Sequence, residues 1–293
     1  MSDSTSQSLA VACSSGGFKG VFVHGVLTAL EDAGIYADAY AAASSSVFPS
    51  VCAALRKSRE VGLRYWRSAL QTLKEPGNGM SEVVLRSISE SGHLLLDLLL
   101  QPGMPRFFIA TSAVQTAEAA ELTQGEGARR LGRRLLLLAA RGDRSWANEH
   151  LQACLFDSAA PDEEHRLTPE NIEAVVYAST RMLHAWIIPA WIAGRPYIDA
   201  SYTCVCPAIE MAQQGYREVI AIATEPGELY KDIFRSERIP DVWEGVPIHV
   251  IRPDRDLAEM GTDFTGASEG AMVSVYRYGE EKGREFVDTW QGY

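Results

Sequence analysis

The sequence predicts an α/β fold, a central and mostly parallel β-sheet flanked by helices. Short apolar runs recur along the chain and stop at turn residues. Segments with helical spacing stand between them, which is the alternation of a parallel sheet covered by helices. The chain has 293 residues, 46% of them hydrophobic, enough apolar material for one sizeable core.

Leu9 to Cys13 is the first apolar run, a buried strand that ends at Ser14-Ser15-Gly16-Gly17. Lys19 to Ala33 follows with Val23, Val26, Leu27 and Leu30 at helical spacing, and Gly34 stops it. Asp38 to Ala43 is the second strand, and Val51 to Leu70 reads as the helix after it. Glu75 to Gly79 is a loop, Ser81 to Leu100 an amphipathic helix, and Arg106 to Thr111 a strand. Leu131 to Ala140 reads as a helix and Phe156 to His165 as a polar loop. Thr168-Pro169-Glu170 predicts a helix start, with Thr168 as N-cap and Pro169 at the first helical position, running to Ser179. Ile187 to Ile192 and Tyr197 to Ala200 flank Gly194-Arg195-Pro196 as a hairpin. Pro207 to Gly215 is a helix, Glu218 to Thr224 and Pro247 to Ile251 are buried strands, and Gly266 to Phe286 is the last helix. There is no repeat or linker, so 9–293 reads as one continuous domain, and the polar residues 1–8 as a disordered N-terminus.

Net charge is −11, which speaks against a nucleic-acid partner and against adsorption to anionic lipid through bulk charge. Arg129, Arg130, Arg133, Arg134, Arg141 and Arg144 cluster locally; they read as a solvated helix face rather than a headgroup site. The cysteines, Cys13, Cys52, Cys154, Cys204 and Cys206, are odd in number and lack paired CxxC units, so buried free thiols are expected. Met1 to Ser8 carries no signal-peptide pattern, and no apolar stretch is long enough to span a bilayer. A soluble cytoplasmic protein is the expectation.

Three segments carry chemistry. Ser15-Gly16-Gly17-Phe18-Lys19-Gly20 is a glycine-rich turn at a helix N-terminus, a nest of backbone N–H groups suited to an anion or an oxyanion. It is neither a Walker A loop nor a G-x-G-x-x-G fingerprint. Ala43-Ser44-Ser45-Ser46-Val47 lies where a strand turns sharply into a helix, the place for an exposed nucleophilic hydroxyl, or more simply for a serine cap. Asp199-Ala200-Ser201 sets a carboxylate between extended apolar residues and a helix, as a general base or as a turn-forming Asp.

In this order the three segments resemble the patatin-like phospholipase family. There a G-G-G-x-[KR]-G loop forms the oxyanion hole, G-x-S-x-G carries the nucleophile, and D-G-[GA] supplies the aspartate. Ala178-Ser179 with Pro189, and Pro207 to Ala212 followed by Gly215, agree with less specific stretches of that family. The resemblance implies a three-layer sandwich and a serine acyl hydrolase. Ser45 would be the nucleophile, Asp199 the base, and the amides of Gly16, Gly17 and Phe18 the oxyanion hole. Ser45 is preferred because it keeps the family's spacing to the neighbouring strand and helix; a slide by one residue would make Ser44 the nucleophile.

In this register Ala43 and Val47 stand where the family has glycine, as do Ala200 and Ser15 in the other motifs. The implied substrates are lipid or other acyl esters, with transient contact to a membrane surface, and neither metal nor cofactor is needed. Two alternatives accompany this reading: an acyltransferase using the same dyad, and a catalytically silent binding protein. His184 lies near Asp199 in sequence and is a further candidate for the site, whereas Lys19 is expected to point away from the nucleophile and set the loop.

Overall fold

The computed structural model describes residues 9–290; the segment expected to be disordered, residues 1–8, lies outside them. Nine strands form a mixed sheet: β1 (Leu9–Cys13), β2 (Ala39–Ala43), β3 (Arg106–Val114), β4 (Leu151–Asp157), β5 (Trp191–Ile192), β6 (Arg195–Ile198), β7 (Glu218–Ile222), β8 (Val242–Trp243) and β9 (Val246–Ile251). Neighbours follow the order β5-β6-β3-β2-β1-β7-β9-β8, and β4 pairs with β3. The pairs β3–β2, β2–β1, β1–β7 and β7–β9 are parallel, and the outer pairs are antiparallel.

Successive side chains of a strand point to opposite faces. In β1, Leu9, Val11 and Cys13 join one apolar layer, while Ala10 and Ala12 join another. The first layer is large and is covered by α1 (Gly20–Asp32), α2 (Val47–Ala54) and α3 (Ser58–Lys74). Next come α4 (Met80–Ser87), a π-helical turn over Ile88–Gly92, and α5 (His93–Leu99). Then follow α6 (Ala117–Gln124), α7 (Ala128–Ala139), α8 (Ser145–His150) and α9 (Ile172–Thr180). The second layer is covered by α10 (Ala208–Gln213), and α11 (Glu269–Thr289) returns to pack on α1. This is the α/β sheet flanked by helices that the alternation of elements predicted, in the three layers that the resemblance implied.

Glycine permits the close approach of α11 to α1. A Cβ on Gly25 would sit 2.1 Å from the Tyr276 carbonyl oxygen, and one on Gly279 would sit 2.2 Å from that of Phe22.

Some elements differ from expectation. The helix expected over Val51 to Leu70 is two helices, because Arg56 takes φ 57° and breaks the run after Ala54. The helix expected from Pro169 starts at Ile172, because the Thr168 N–H is held by Asn171 Oδ1 in a turn. The expected loop from Phe156 begins inside β4, whose Leu151–Asp157 pairs with β3 over seven residues. The five cysteines are buried and free, as expected, and burial raises their thiol pKa values. Among the described residues no helix is long and apolar enough to cross a membrane.

Candidate active site

Sheet register brings the site together. β2 runs parallel to β3 and ends with Ala43 opposite Ala110. β4 fills the other edge of β3 from Phe108 to Val114. β6 must therefore share the edge that β2 uses, and it runs the opposite way, with Tyr197 opposite Ala113 and Ile198 opposite Ser112. The two strands meet end to end. Carried one residue further, both registers reach Thr111, so the residue after β2 and the residue after β6 face each other. Those residues are Ser44 and Asp199.

Ser44 Oγ donates to Asp199 Oδ2 at 2.8 Å, and both residues are buried. Ser44 adopts φ 55°, a left-handed conformation that costs a non-glycine residue about 1–2 kcal/mol. A strained strand-to-helix turn of this kind is what presents a nucleophilic serine. The turn is held from outside. The Ser44 N–H donates to Ser179 Oγ at 2.8 Å, and Ser46 Oγ donates to the Ser14 carbonyl.

The expected pairing of Ser45 with Asp199 is thereby corrected. Ser45 comes one step later, on a 3-10 turn over Ser44–Ser46, and its hydroxyl has no hydrogen-bond partner. It lies toward α1, 3.0 Å from the place a Cβ on Gly20 would take. The correction also moves the flanking positions. Ala42 and Ser46, not Ala43 and Val47, stand two residues either side of Ser44. Val47 instead lines the pocket beyond the turn.

Asp199 is held on every side. Its N–H donates to the Arg181 carbonyl at 3.0 Å, and its own carbonyl accepts from Ser112 Oγ at 2.7 Å. Oδ1 accepts from the Ser201 N–H at 2.8 Å and from the Ser201 hydroxyl. Burial disfavours the ionised carboxylate and raises its pKa to about 6, against the lowering effect of the Ser201 and Ser44 hydrogen bonds.

The glycine-rich turn lies beside Ser44. Gly17 takes φ 57°, and a Cβ there would fall 1.9 Å from the Phe264 carbonyl oxygen. The Phe18 N–H, expected to serve an oxyanion, donates to that same carbonyl at 3.2 Å. Phe264 thus sets a backbone acceptor against the donors of the loop, and its ring packs on His184 and Trp186. Sequence reasoning missed it, because nothing in Asp263-Phe264-Thr265 signals the contact. Lys19 points away from the serine, as expected. Its Nζ lies 2.7 Å from Glu225 Oε1 and 2.9 Å from Asp256 Oδ1, anchoring the loop to the segments after β7 and β9.

Two unlike cavities flank the dyad. One is apolar and runs from Ser44, Gly17 and Phe18 between Val47, Phe48, Trp66, Met80 and Trp186. The other opens on the far side of the glycine loop and mixes apolar with polar groups, from Gly16 and Ser201 past Leu229 and Ile233 to Glu225 and Asp232. Ser201, which holds Asp199, borders the second cavity, while Ser44 and Ser45 both border the first.

His184 does not bond to Asp199: its ring lies against Phe264, and burial and then Arg129 and Arg133 lower its pKa. Of the arginine cluster, Arg144 pairs with the buried Asp232 at 2.6 Å, and Arg129, Arg130, Arg133, Arg134 and Arg141 are exposed. Among the described residues no group of three His, Cys, Asp or Glu is placed to hold a metal ion. No family model and no curated protein matches this chain.

Proposed function

We propose that this protein is a patatin-like serine acyl hydrolase acting on carboxylic esters, with Ser44 as nucleophile and Asp199 as base. The observation that carries the reading is the hydrogen bond between a strained Ser44 and a buried Asp199 beside a glycine turn. A serine held only as a helix cap needs neither a left-handed backbone nor a desolvated carboxylate as its acceptor.

Ser44 Oγ adds to the ester carbonyl carbon and gives its proton to Asp199 Oδ2. The carbonyl oxygen becomes an oxyanion and is held by amides of the glycine loop, chiefly Gly17 and Phe18. The C–O bond to the alcohol then breaks, and the departing oxygen takes the proton from Asp199. Water adds to the acyl-Ser44 carbonyl and passes a proton to Asp199. The bond to Ser44 Oγ breaks, the acid leaves, and Ser44 regains its proton. A carboxylate with a pKa near 6 suits this work better than one at 3.8, because its proton affinity lies closer to neutral pH while it remains ionised there.

For the ester carbonyl to reach the Phe18 amide, the Phe264 carbonyl has to leave it. The segment between Thr262 and Ala267 therefore moves outward as substrate enters. The test is turnover of p-nitrophenyl acetate by the purified protein. The reading expects hydrolysis that is lost in both Ser44→Ala and Asp199→Asn and kept in Ser45→Ala; activity that survives in Ser44→Ala rejects it.

A further inference from the structure

We infer that the face made by α7 and by the chain from Leu183 to Trp191 docks on an anionic lipid bilayer. This docking is independent of the role of Ser44. The arginine cluster is then more than the solvated helix face that the sequence suggests.

Arg129, Arg130, Arg133, Arg134 and Arg141 are exposed on α7 or just beyond its end. Elsewhere arginines meet carboxylates, as Arg59, Arg106, Arg144 and Arg238 do. Among the described residues these five have no ion pair and no side-chain hydrogen bond. Asp143 follows the helix, but its Oδ1 accepts from the Ser145 N–H rather than from an arginine. The arrangement works against the helix itself. Arg129 and Arg130 lie in its first turn, where the helix dipole disfavours a cation, and no acidic residue stands there. Arg129 with Arg133, and Arg130 with Arg134, are like charges one turn apart, which repel. Helix stability therefore does not account for these four arginines, whereas an anionic surface does.

Apolar side chains adjoin the charges. Leu136 and Leu137 are exposed on the last turn of α7, Leu137 to 64%. Helical spacing sets Arg129, Arg133, Leu136 and Leu137 along one exposed stripe. The chain after Leu183 packs against the same helix: a Cβ on Gly132 would fall 2.4 Å from the His184 nitrogen. Burial, and then the charges of Arg129 and Arg133, lower the His184 pKa. Further along, Ile187 is 57% and Trp191 48% exposed. The buried Arg181 ties this chain to the hairpin of α6 and α7 by donating to the carbonyls of Ile188 and Thr123. Exposed leucine, isoleucine and tryptophan beside arginine suit a surface that enters the headgroup layer of a bilayer. The backbone of a nucleic acid or an acidic peptide offers such side chains nothing apolar.

The remaining charge sets the orientation. The net charge is −11 in total and so −16 without these five arginines. An anionic surface repels the acidic bulk of the molecule and attracts this face within the screening length, about 10 Å at 0.1 M salt. His184 and Trp186 both pack on Phe264, and Trp186 lines the apolar cavity beside Ser44. Docked lipid therefore lies next to the segment that covers the glycine loop.

The experiment is co-sedimentation of the full chain with vesicles of phosphatidylcholine alone and with vesicles holding about 30% phosphatidylserine, at about 50 and 500 mM NaCl. Affinity for the anionic vesicles should exceed that for the neutral ones at least about tenfold at low salt, and fall at least about tenfold at high salt. Each arginine near an anionic leaflet multiplies affinity about fivefold, so Arg129→Gln, Arg130→Gln, Arg133→Gln and Arg134→Gln combined should abolish the preference. The same four positions changed to Lys should keep it. Leu136→Ser with Leu137→Ser should weaken binding to the anionic vesicles at least about tenfold. The combined Gln variant removes only repelling surface charges, so its Tm should not fall, and lost binding is then not lost folding. Equal affinity for the two kinds of vesicle, or a preference that survives in the Gln variant, overturns the inference. Tighter binding of polyglutamate or of RNA by the same arginines also overturns it, assigning the face to an acidic protein or to a nucleic acid.

Discussion

Asp199→Asn should stabilise the protein at neutral pH while removing its activity. Asp199 is fully buried, and burial raises its pKa from 3.8 to about 6. The native state therefore holds a proton on this group more tightly than the unfolded chain does. Its contribution to stability is fully present below pH 3.8, falls as pH rises between 3.8 and about 6, and is lost above that. At about 1.4 kcal/mol for each pH unit, the ionised carboxylate costs the native state ~3 kcal/mol at pH 8 relative to the protonated one. Asparagine is neutral throughout and keeps the acceptor toward Ser201, while its amide can donate to Ser44 Oγ. The assay is urea unfolding of wild type and Asp199→Asn at pH 4.5, 6 and 8. The stability difference should shift in favour of the variant by ~2–3 kcal/mol between pH 4.5 and 8. A difference that does not change with pH, or one that moves in favour of wild type as pH rises, would refute the placement of an ionisable Asp199 in a desolvated site.

Further expectations follow from the same geometry. The rate of ester hydrolysis should be level above pH 7 and fall as pH drops through about 6, because protonated Asp199 cannot accept the serine proton; a profile flat to pH 4.5 would assign the base elsewhere. Gly17→Ala should cost at least about 1–2 kcal/mol for the left-handed backbone alone, and more because its Cβ would meet the Phe264 carbonyl; thermal unfolding measures it, and an unchanged Tm contradicts the contact. Phe264→Ala removes the ring that holds the covering segment on His184 and Trp186. An aromatic pair is worth about 0.5–1.5 kcal/mol, so where lifting that segment limits entry, fluorophosphonate labelling should quicken about fivefold, and slower labelling would count against a covering role.

Much of this fold was legible because its signals are local. The runs at Leu9–Cys13, Ala39–Ala43, Glu218–Ile222 and Val246–Ile251 are strands, and the helical spacing after each glycine or turn gives the layers that cover them. What failed was whatever depends on distant partners. β4 alternates poorly, with Gln152 and Ala153 both exposed, so only its pairing along β3 makes it a strand. No glycine or proline announces the break at Arg56.

The site shows the same division. Asp199, Gly17 and the outward-pointing Lys19 are picked out by the resemblance of three ordered segments to a known family, and the structure brings these segments together. Ser45 is preferred to Ser44 on spacing alone, because Ser44, Ser45 and Ser46 are chemically alike and the glycines of the family it resembles are absent. The choice is made by the register of β2 and β6 on β3, which no local pattern encodes. The Phe264 carbonyl, brought from a segment some 240 residues beyond the loop it covers, is a contact of the same long-range kind.

The central claim is that Ser44, not its neighbour, is the nucleophile paired with Asp199. Reaction with a fluorophosphonate, followed by proteolysis and fragment-ion mass spectrometry, reads the modified residue directly. The adduct should lie on Ser44 and should be absent from Ser44→Ala while persisting in Ser45→Ala. An adduct on Ser45, or labelling that is indifferent to the loss of Ser44, would contradict the account.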